Sequence, residues 1–516
     1  MPKSASSNGT RWSRRSLLKA GAVVFAAPAL PRALMAQTQT PKRGGHLIMA
    51  LEGASASDSI NPLKSISTFQ NTINLQWGNC LVELGSDGKA KPELAESWEP
   101  NKTATSWTFK LRKGVQFQNG KEMDAADVVY SLGFHHGKGS TSPVAAFLTT
   151  LKEIRASGTH EITVEFNEPN ADAPFIFTDH KTLIIPQGAS MDRPVGTGPY
   201  IIDSYQPGVK VLAKRNPNYW KEGAAFADSI ETIGINDATA RLGALQSGAA
   251  HFINRVDPKL VPAIRSGGAL DVIEMPSSAF YYYPIQVDKA PYDNKDFRLA
   301  LKYALDREKM IKLVLGGFGQ VGNDQPVSPL DPFFSKDVPQ RPHDPEKAAF
   351  HLKQSGVTRP IEVAVAEASF PNAEAAVALF QEDCRAAGLD LQIKRVPSDG
   401  YWSDVWGKVP FCGSYSTGRP CADMTLSMGF LSSAAWNDSN WKRPDFDKVV
   451  NAARAELDEA KRKQLYHEAQ LMIHDDCGMI LPVFNSLLFG SATNVKGMVP
   501  TPVYGGYRIS EQLYFA

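Results

Sequence analysis

The sequence predicts an α/β protein built from two or three lobes, on three observations. Residues 361–365 and 391–396 are strand-like and flank a helix-like stretch at 372–387, and strand, helix, strand is the repeating unit of an α/β layer. Other short segments alternate large apolar with polar residues, as in Trp107-Thr108-Phe109-Lys110-Leu111-Arg112 and residues 161–166. That period of two marks half-buried strands. Finally, the chain has 516 residues, of which 480 remain once an expected 36-residue leader is set aside. A chain of that size exceeds a single ordinary core.

The leader comes first. Ser13-Arg14-Arg15-Ser16-Leu17-Leu18-Lys19 runs into an apolar stretch, residues 20–34. A charged head before a short apolar region is the layout of a bacterial export signal of the twin-arginine type. The stretch is too short to span a bilayer and is broken by Pro28 and Pro31. Cleavage is expected after Ala36, giving residues 1–36 as the signal peptide. No cysteine precedes Cys80, so no lipid anchor is expected, and the protein should reside in the periplasm.

Strand-like residues 46–51 follow a linker rich in Thr, Pro and Gly. Gly85-Ser86-Asp87-Gly88 and Asn119-Gly120 are turn signals. Residues 124–134 read as a helix with Asp124 as its N-cap. The turn Gly196-Thr197-Gly198-Pro199 is expected between strands, with residues 200–205 and 209–215 beyond it. Residues 296–315 form the clearest helix of the middle, with Phe297, Leu301, Ala304, Leu305 and Ile311 near one face. Pro-rich loops follow at 326–332 and 339–345. Residues 445–474 read as one long helical region, and residues 480–484 as a late strand.

Charge narrows the function. The first 36 residues carry six basic and no acidic side chains, so the rest holds 49 basic against 54 acidic residues, a net of −5. That argues against nucleic acid and against charge-held attachment to anionic lipid. Five cysteines, an odd count, leave at least one thiol free in a compartment that permits disulfides. Cys412 and Cys421, across a short turn-rich loop, are the natural candidates for a disulfide or for two reduced thiols. Neither Cys-x-x-Cys nor a His-x3-His cluster is present, so no structural zinc site is expected.

Several motifs, in order, span nearly all of the chain after the leader. They are Ile60-Asn61-Pro62; Pro92-Glu93-Leu94-Ala95-Glu96-Ser97-Trp98-Glu99; the run from Trp107 through Phe117 and Gly120 to Ala126-Asp127-Val128-Val129-Tyr130-Ser131; Gly196-Thr197-Gly198-Pro199-Tyr200; Asn216-Pro217-Asn218-Tyr219-Trp220; and Phe297-Arg298 through Ala304-Leu305-Asp306-Arg307. In these the chain resembles the family 5 extracellular solute-binding proteins, the receptors of peptide-type ABC importers. The resemblance implies a periplasmic binding protein-like α/β fold of the cluster C type, with two lobes joined by a hinge and one extra lobe. Lobe I would comprise residues 37–75, 188–277 and 485–516, the extra lobe residues 76–187, and lobe II residues 278–484. Trp98, Trp107 and Phe117 would then be scaffold.

The function so implied is capture of a short peptide, or a similar zwitterionic small molecule, in a cleft that closes between the lobes. Delivery would be to the permease subunits of an inner-membrane ABC transporter. The receptor would be a monomer with no cofactor and no enzymatic activity. In the family's oligopeptide receptors a Cys-Ala-Asp run pairs its aspartate with the peptide's α-ammonium. Carried onto Gly418-Arg419-Pro420-Cys421-Ala422-Asp423, this gives Asp423 the ammonium and gives Arg419 and Cys421 main-chain contacts. Pro420 stands where those receptors have tryptophan, and it offers no N–H. Arg419 can meet a ligand carboxylate or brace Asp423. Tyr401, Trp402, Trp406, Phe411, Tyr415, Trp436 and Trp441 cluster nearby, and aromatic walls suit variable side chains. Tyr415 and Trp436 are the preferred wall, with Trp402 beside them. The resemblance adds Thr68 and Phe69, at the spacing of the family's peptide-contacting strand, and Phe484 at the return crossing.

Three other functions fit parts of the sequence less well. The same fold serves opines, metal chelates, glutathione or sugars. A cofactor enzyme would need chemistry the sequence does not carry. Gly317-x-Gly319-x-x-Gly322 follows a helix rather than a strand, and His135-His136 reads as a helix-end pair. A structural or chaperone-like role has little in its favour.

Overall fold

The computed structural model describes Met1 and residues 41–137, 139–503 and 507–516. Apart from Met1, the expected export signal lies outside these residues. The backbone is organised around one nine-stranded mixed sheet. Its order runs Ser414–Ser416, Leu270–Pro284, Met479–Ala492, Phe252–Ile253, His46–Leu51, Ser229–Gly234, Lys210–Arg215, Tyr200–Gln206, and Gln320–Val321 pairs with Met479–Ala492 off this path. His46–Leu51 runs parallel to Ser229–Gly234 and to Phe252–Ile253.

Two strands carry the chain between lobes. Leu270–Pro284 and Met479–Ala492, of 15 and 14 residues, pair antiparallel from Leu270↔Ala492 to Pro284↔Met479. Their pairing shifts register between Pro276 and Phe280, where Pro276 supplies no donor to the ladder. At one end they pack with Met49, Phe252 and Tyr200 in the core of the first lobe. At the other, Tyr283 and Ile480 enter a core with Phe297, Leu301 and Phe380, and Phe280 and Phe484 enter another with Leu426 and Tyr466. The two long strands thus join otherwise separate cores.

A third core, from Leu81 to Ile184, lies between the helix Ala125–Gly133 and a four-stranded antiparallel sheet, Ala95–Pro100, Ser106–Leu111, Glu161–Phe166, Leu151–Gly158. Trp107, Phe109 and Phe117 are buried there, with the Trp107 indole donating to the Asn170 carbonyl at 2.9 Å. Asp124 caps the helix and Asp127 completes a capping box. The Gly196–Pro199 turn has its glycines for a steric reason. A Cβ on Gly198 would stand 2.3 Å from the Trp77 carbonyl carbon, and one on Gly196 would stand 2.4 Å from its oxygen.

Several sequence expectations are corrected. The stretch 296–315 is two helices, Lys295–Ala304 and Arg307–Val314, because the Asp306 side chain caps a new start by accepting from the Lys309 N–H. Asp458 likewise divides 445–474 into Pro444–Ala455 and Glu459–Asp476. Residues 68 and 69 begin a helix, Thr68–Trp77, because the Ser67 hydroxyl accepts from the Gln70 N–H. No disulfide joins Cys412 to Cys421, and all five cysteines are free and buried. Cys412 packs with Ala364, Tyr401 and Val405. Cys421 stands at the N-cap of the helix Ala422–Gly429, and the strand Ser414–Ser416, paired to Leu270–Pro284, lies between them.

Candidate functional site

The site begins with the run Phe280-Tyr281-Tyr282 on the first crossing strand. Side chains on a strand alternate faces, so Phe280 and Tyr282 border one cavity while Tyr281 borders a second. Beside them the short strand Ser414–Ser416 pairs Phe280↔Ser416, Tyr281↔Tyr415 and Tyr282↔Ser414, and it ends the sheet on that side. Gly418 then turns the chain with φ near +76°, its Cα so near the Ser278 backbone that a Cβ would fall 2.7 Å from it. Tyr415, Ser416 and Thr417 line both cavities.

The first cavity, of about 410 Å³, is walled by Phe280, Tyr282, Trp402, Trp406, Tyr415, Arg419, Met428 and Trp436, with Asp438 also in its lining. Trp402, Tyr415 and Trp436 are between 41% and 49% exposed, unusual for rings of this size. Trp402 meets Trp406 and Tyr415 edge-on, at centroid distances of 6.1 and 5.3 Å. The Arg419 guanidinium sits 5.4 Å from the Trp436 ring. It donates to the Thr417 hydroxyl at 3.0 Å and to the Gly418 carbonyl at 2.7 Å.

Asp438 is the acidic group of this cavity. Its Oδ2 accepts from the Tyr282 hydroxyl at 2.6 Å and from the Trp406 indole at 3.0 Å. Among the described residues it forms no ion pair. Burial pushes its carboxyl up to about 6, against the opposing pull of those two donors. The Tyr282 hydroxyl is itself held well above its usual range by burial and by Asp438.

The second cavity, of about 290 Å³, adjoins the first at Tyr415, Ser416 and Thr417. It is lined by Thr68, Asn254 and Arg255, by Tyr281 on the first long strand and Asn485 on the second, and by Glu367 and Phe370. Arg255 pairs with Glu52 at 2.9 Å. Tyr281 stacks on Phe370 with centroids 4.7 Å apart.

Of the residues singled out from sequence, the structure brings Trp402, Tyr415, Arg419 and Trp436 together on the first cavity and Thr68 on the second. Others lie elsewhere. Asp423 is 5% exposed and lines neither cavity. Its two oxygens accept from the Arg454 Nε at 3.0 and 3.1 Å, and the Ser427 hydroxyl donates to it at 3.1 Å. Burial opposes the Arg454 cation, but Asp423 outweighs it and holds that guanidinium above its ordinary value. Cys421 is buried beneath the same turn, Phe69 lies in the first lobe's core, and Phe484 packs edge-on against Phe280 at 5.7 Å. His135 is buried against the Ser142 hydroxyl, and burial lowers its pKa to about 4.

Sequence reasoning missed Asp438, Tyr282 and Arg255. The signal for Asp438 was present as an acid between Trp436 and Trp441. That for Tyr282 was the aromatic run on a period-two strand.

Residues 89–438 match the model of the bacterial extracellular solute-binding proteins, family 5 middle region. The chain belongs to this family. It is a solute-binding transport receptor and not an enzyme. The family's members are periplasmic or extracellular binding proteins, and no helix among the described residues is long and apolar enough to cross a membrane.

A dipeptide-binding protein of Escherichia coli is 26% identical, covering 95% of this chain and 98% of its own length. A heme-binding protein A of Haemophilus influenzae is 27% identical, over 84% of this chain and 86% of its own. Among solved structures, a periplasmic binding protein from Helicobacter pylori in complex with a peptide, associated with an ABC transporter, superposes with a TM-score of 0.74. It is 22% identical, over 92% of this chain and 98% of its own. At that identity the likeness concerns the fold.

Proposed function

We propose that this receptor captures a short peptide, or a zwitterion of similar size, across the two adjoining cavities. The observation that carries the reading is the edge strand Ser414–Ser416. It ends the large sheet and borders both cavities at Tyr415. An extended peptide can add to such an edge, with main-chain hydrogen bonds giving affinity and the cavities sorting side chains. The aromatic walls of the first cavity accept varied side chains without fixed partners. Arg419 supplies positive charge for a ligand carboxylate, and its planar fork suits that group. The names of the peptide-binding relatives agree with this reading.

The receptor would work as a monomer. It would close about the crossing strands once its ligand is held by both lobes, and then present it to the permease of an ABC importer. Lobe I would be residues 37–75, 188–277 and 485–516, the extra lobe 76–187, and lobe II 278–484. The leader would direct it to the periplasm by the twin-arginine route, with the signal removed and no lipid anchor. Calorimetric titration of ligand-stripped protein with di- and tripeptides tests the reading. Saturable binding with compaction in solution scattering is expected. Binding of an opine, glutathione or a metal chelate in place of every peptide would overturn the peptide assignment.

A further inference from the structure

We propose that the cavity containing Asp438 is a cation subsite, in which Asp438 is the counter-charge for an ammonium group of the ligand and the rings of Trp402, Trp406 and Trp436 surround that group. The inference rests on the receptor reading above and names what one end of its site selects.

A carboxylate in a cavity wall of aromatic rings has lost much of its hydration and needs compensation. Asp438 obtains two hydrogen bonds, both to Oδ2, from Tyr282 and Trp406. It obtains no cation from the described residues, although other buried carboxylates of this chain do. Asp324 is held by Arg307 and Arg341, Glu93 by Arg508, and Asp423 by Arg454. Asp438 has no such partner among the described residues, and it faces a cavity of about 410 Å³ walled by aromatic rings. A positive group placed there gains a charge-assisted bond to the carboxylate. It also gains the attraction of aromatic faces, the arrangement by which ammonium groups are recognised in aromatic cages. Trp406 serves both ends, since its N–H fixes the carboxylate and its ring lines the cavity. The tyrosine bond has a second consequence: a donor already seated on Oδ2 orients the carboxyl.

The residue that the family resemblance assigns to the ammonium, Asp423, cannot take this part without surrendering Arg454. That would leave a guanidinium whose side chain is only 18% exposed with no charge partner. The ammonium can come from a peptide's N-terminus or from a lysine-like side chain. Both present the same chemistry to Asp438.

The test uses ligand-stripped protein, wild type and Asp438→Asn, titrated with four probes: n-butylamine, alanyl-alanine, N-acetyl-alanyl-alanine and N-acetyl-alanyl-lysine. Tryptophan fluorescence and calorimetry read the affinity, and thermal melting checks the fold. The expected result is that n-butylamine perturbs wild-type fluorescence and binds Asp438→Asn at least about tenfold more weakly. If the α-ammonium is the source, alanyl-alanine loses about 100-fold on acetylation and a similar factor in the variant. If a side chain is the source, N-acetyl-alanyl-lysine binds tightly and shows the same dependence on Asp438. Trp436→Leu, at a half-exposed position, should weaken n-butylamine several-fold, with thermal melting as the check on its fold. Cationic probes that bind wild type and Asp438→Asn within about twofold overturn the proposal. So does n-butylamine without effect on the wild type. Failure of every peptide while n-butylamine still titrates through Asp438 would instead remove the peptide reading and keep the cation subsite.

Discussion

Asp423, buried, and Asp438, part-buried at a cavity, are two carboxylates only fifteen residues apart, and they differ in what neutralises them. Asp423, in the first turn of the helix Ala422–Gly429, is gripped by Arg454 and Ser427. Asp438 has two neutral donors and a cavity in front of it. A charge already paired inside the protein is part of the scaffold. One left to face a cavity is available to a ligand. The difference teaches that a motif locates a carboxylate in the chain, whereas its partners decide what it does.

The largest expected effect is on the scaffold side. Asp423→Asn leaves Arg454 buried without its counter-charge, and breaking such a pair costs about 3–5 kcal/mol. Urea denaturation should show that loss, with ligand affinity retained in the folded fraction. A variant of unchanged stability and lost affinity would move Asp423 into the site and reverse the comparison.

Asp438→Asn should do the opposite. The amide keeps an acceptor for Tyr282 and Trp406 and removes an uncompensated charge, so the ligand-free protein should melt no lower than wild type at pH 7. Affinity for an ammonium-bearing ligand should fall about 100-fold. Thermal melts with and without ligand check both halves, and a large drop in the ligand-free melt would make Asp438 scaffold too.

Acid should sharpen the contrast. Asp438 carries its proton up to about 6 in the folded, ligand-free state, against an ordinary value of 3.8. Its folded pKa is raised, so its contribution favours the fold at low pH and is lost as pH rises through that window. Ligand binding has the reverse sign, because the cation needs the ionised form. Affinity should fall about tenfold per pH unit below 6 and level off above 7. The groups facing Asp438 do not blur this window. The Tyr282 hydroxyl titrates far above it, and burial pushes the nearby Cys412 and Cys477 thiols up to about 12. Affinity independent of pH between 5 and 7 would contradict the role given to Asp438.

The smallest effect belongs to the rim. Trp436 is half exposed and stacks with Arg419, so Trp436→Leu should cost about 1 kcal/mol of binding and leave stability unchanged. A loss as large as that of Asp438→Asn would shift the weight of recognition from charge to ring.

The comparison also marks what a sequence can say. Period-two strands such as Ser106–Leu111 and Glu161–Phe166 are legible because alternation is local. So is the Asp124 cap, since a capping box lies within one turn. The crossing strands are legible only in part. Residues 480–484 read as a late strand, but the rest of Met479–Ala492 and all of Leu270–Pro284 owe their length to pairing with each other across about two hundred residues. The helix breaks at Asp306 and Asp458 were hidden because apolar periodicity continues through both. For the site, the aromatic cluster around Trp402, Tyr415 and Trp436 was visible as composition. The division of labour between Asp423 and Asp438 was not, because Arg454 and Tyr282 reach them only through the tertiary fold.

The most direct measurement is a crystal structure of the wild-type protein with an ammonium-bearing ligand, first alanyl-alanine and, if it does not bind, n-butylamine. The account predicts the ammonium nitrogen at hydrogen-bond distance from Asp438, among the tryptophan rings, with Asp423 still held by Arg454. An ammonium bound to Asp423, with Arg454 displaced and Asp438 without contact to the ligand, would contradict it.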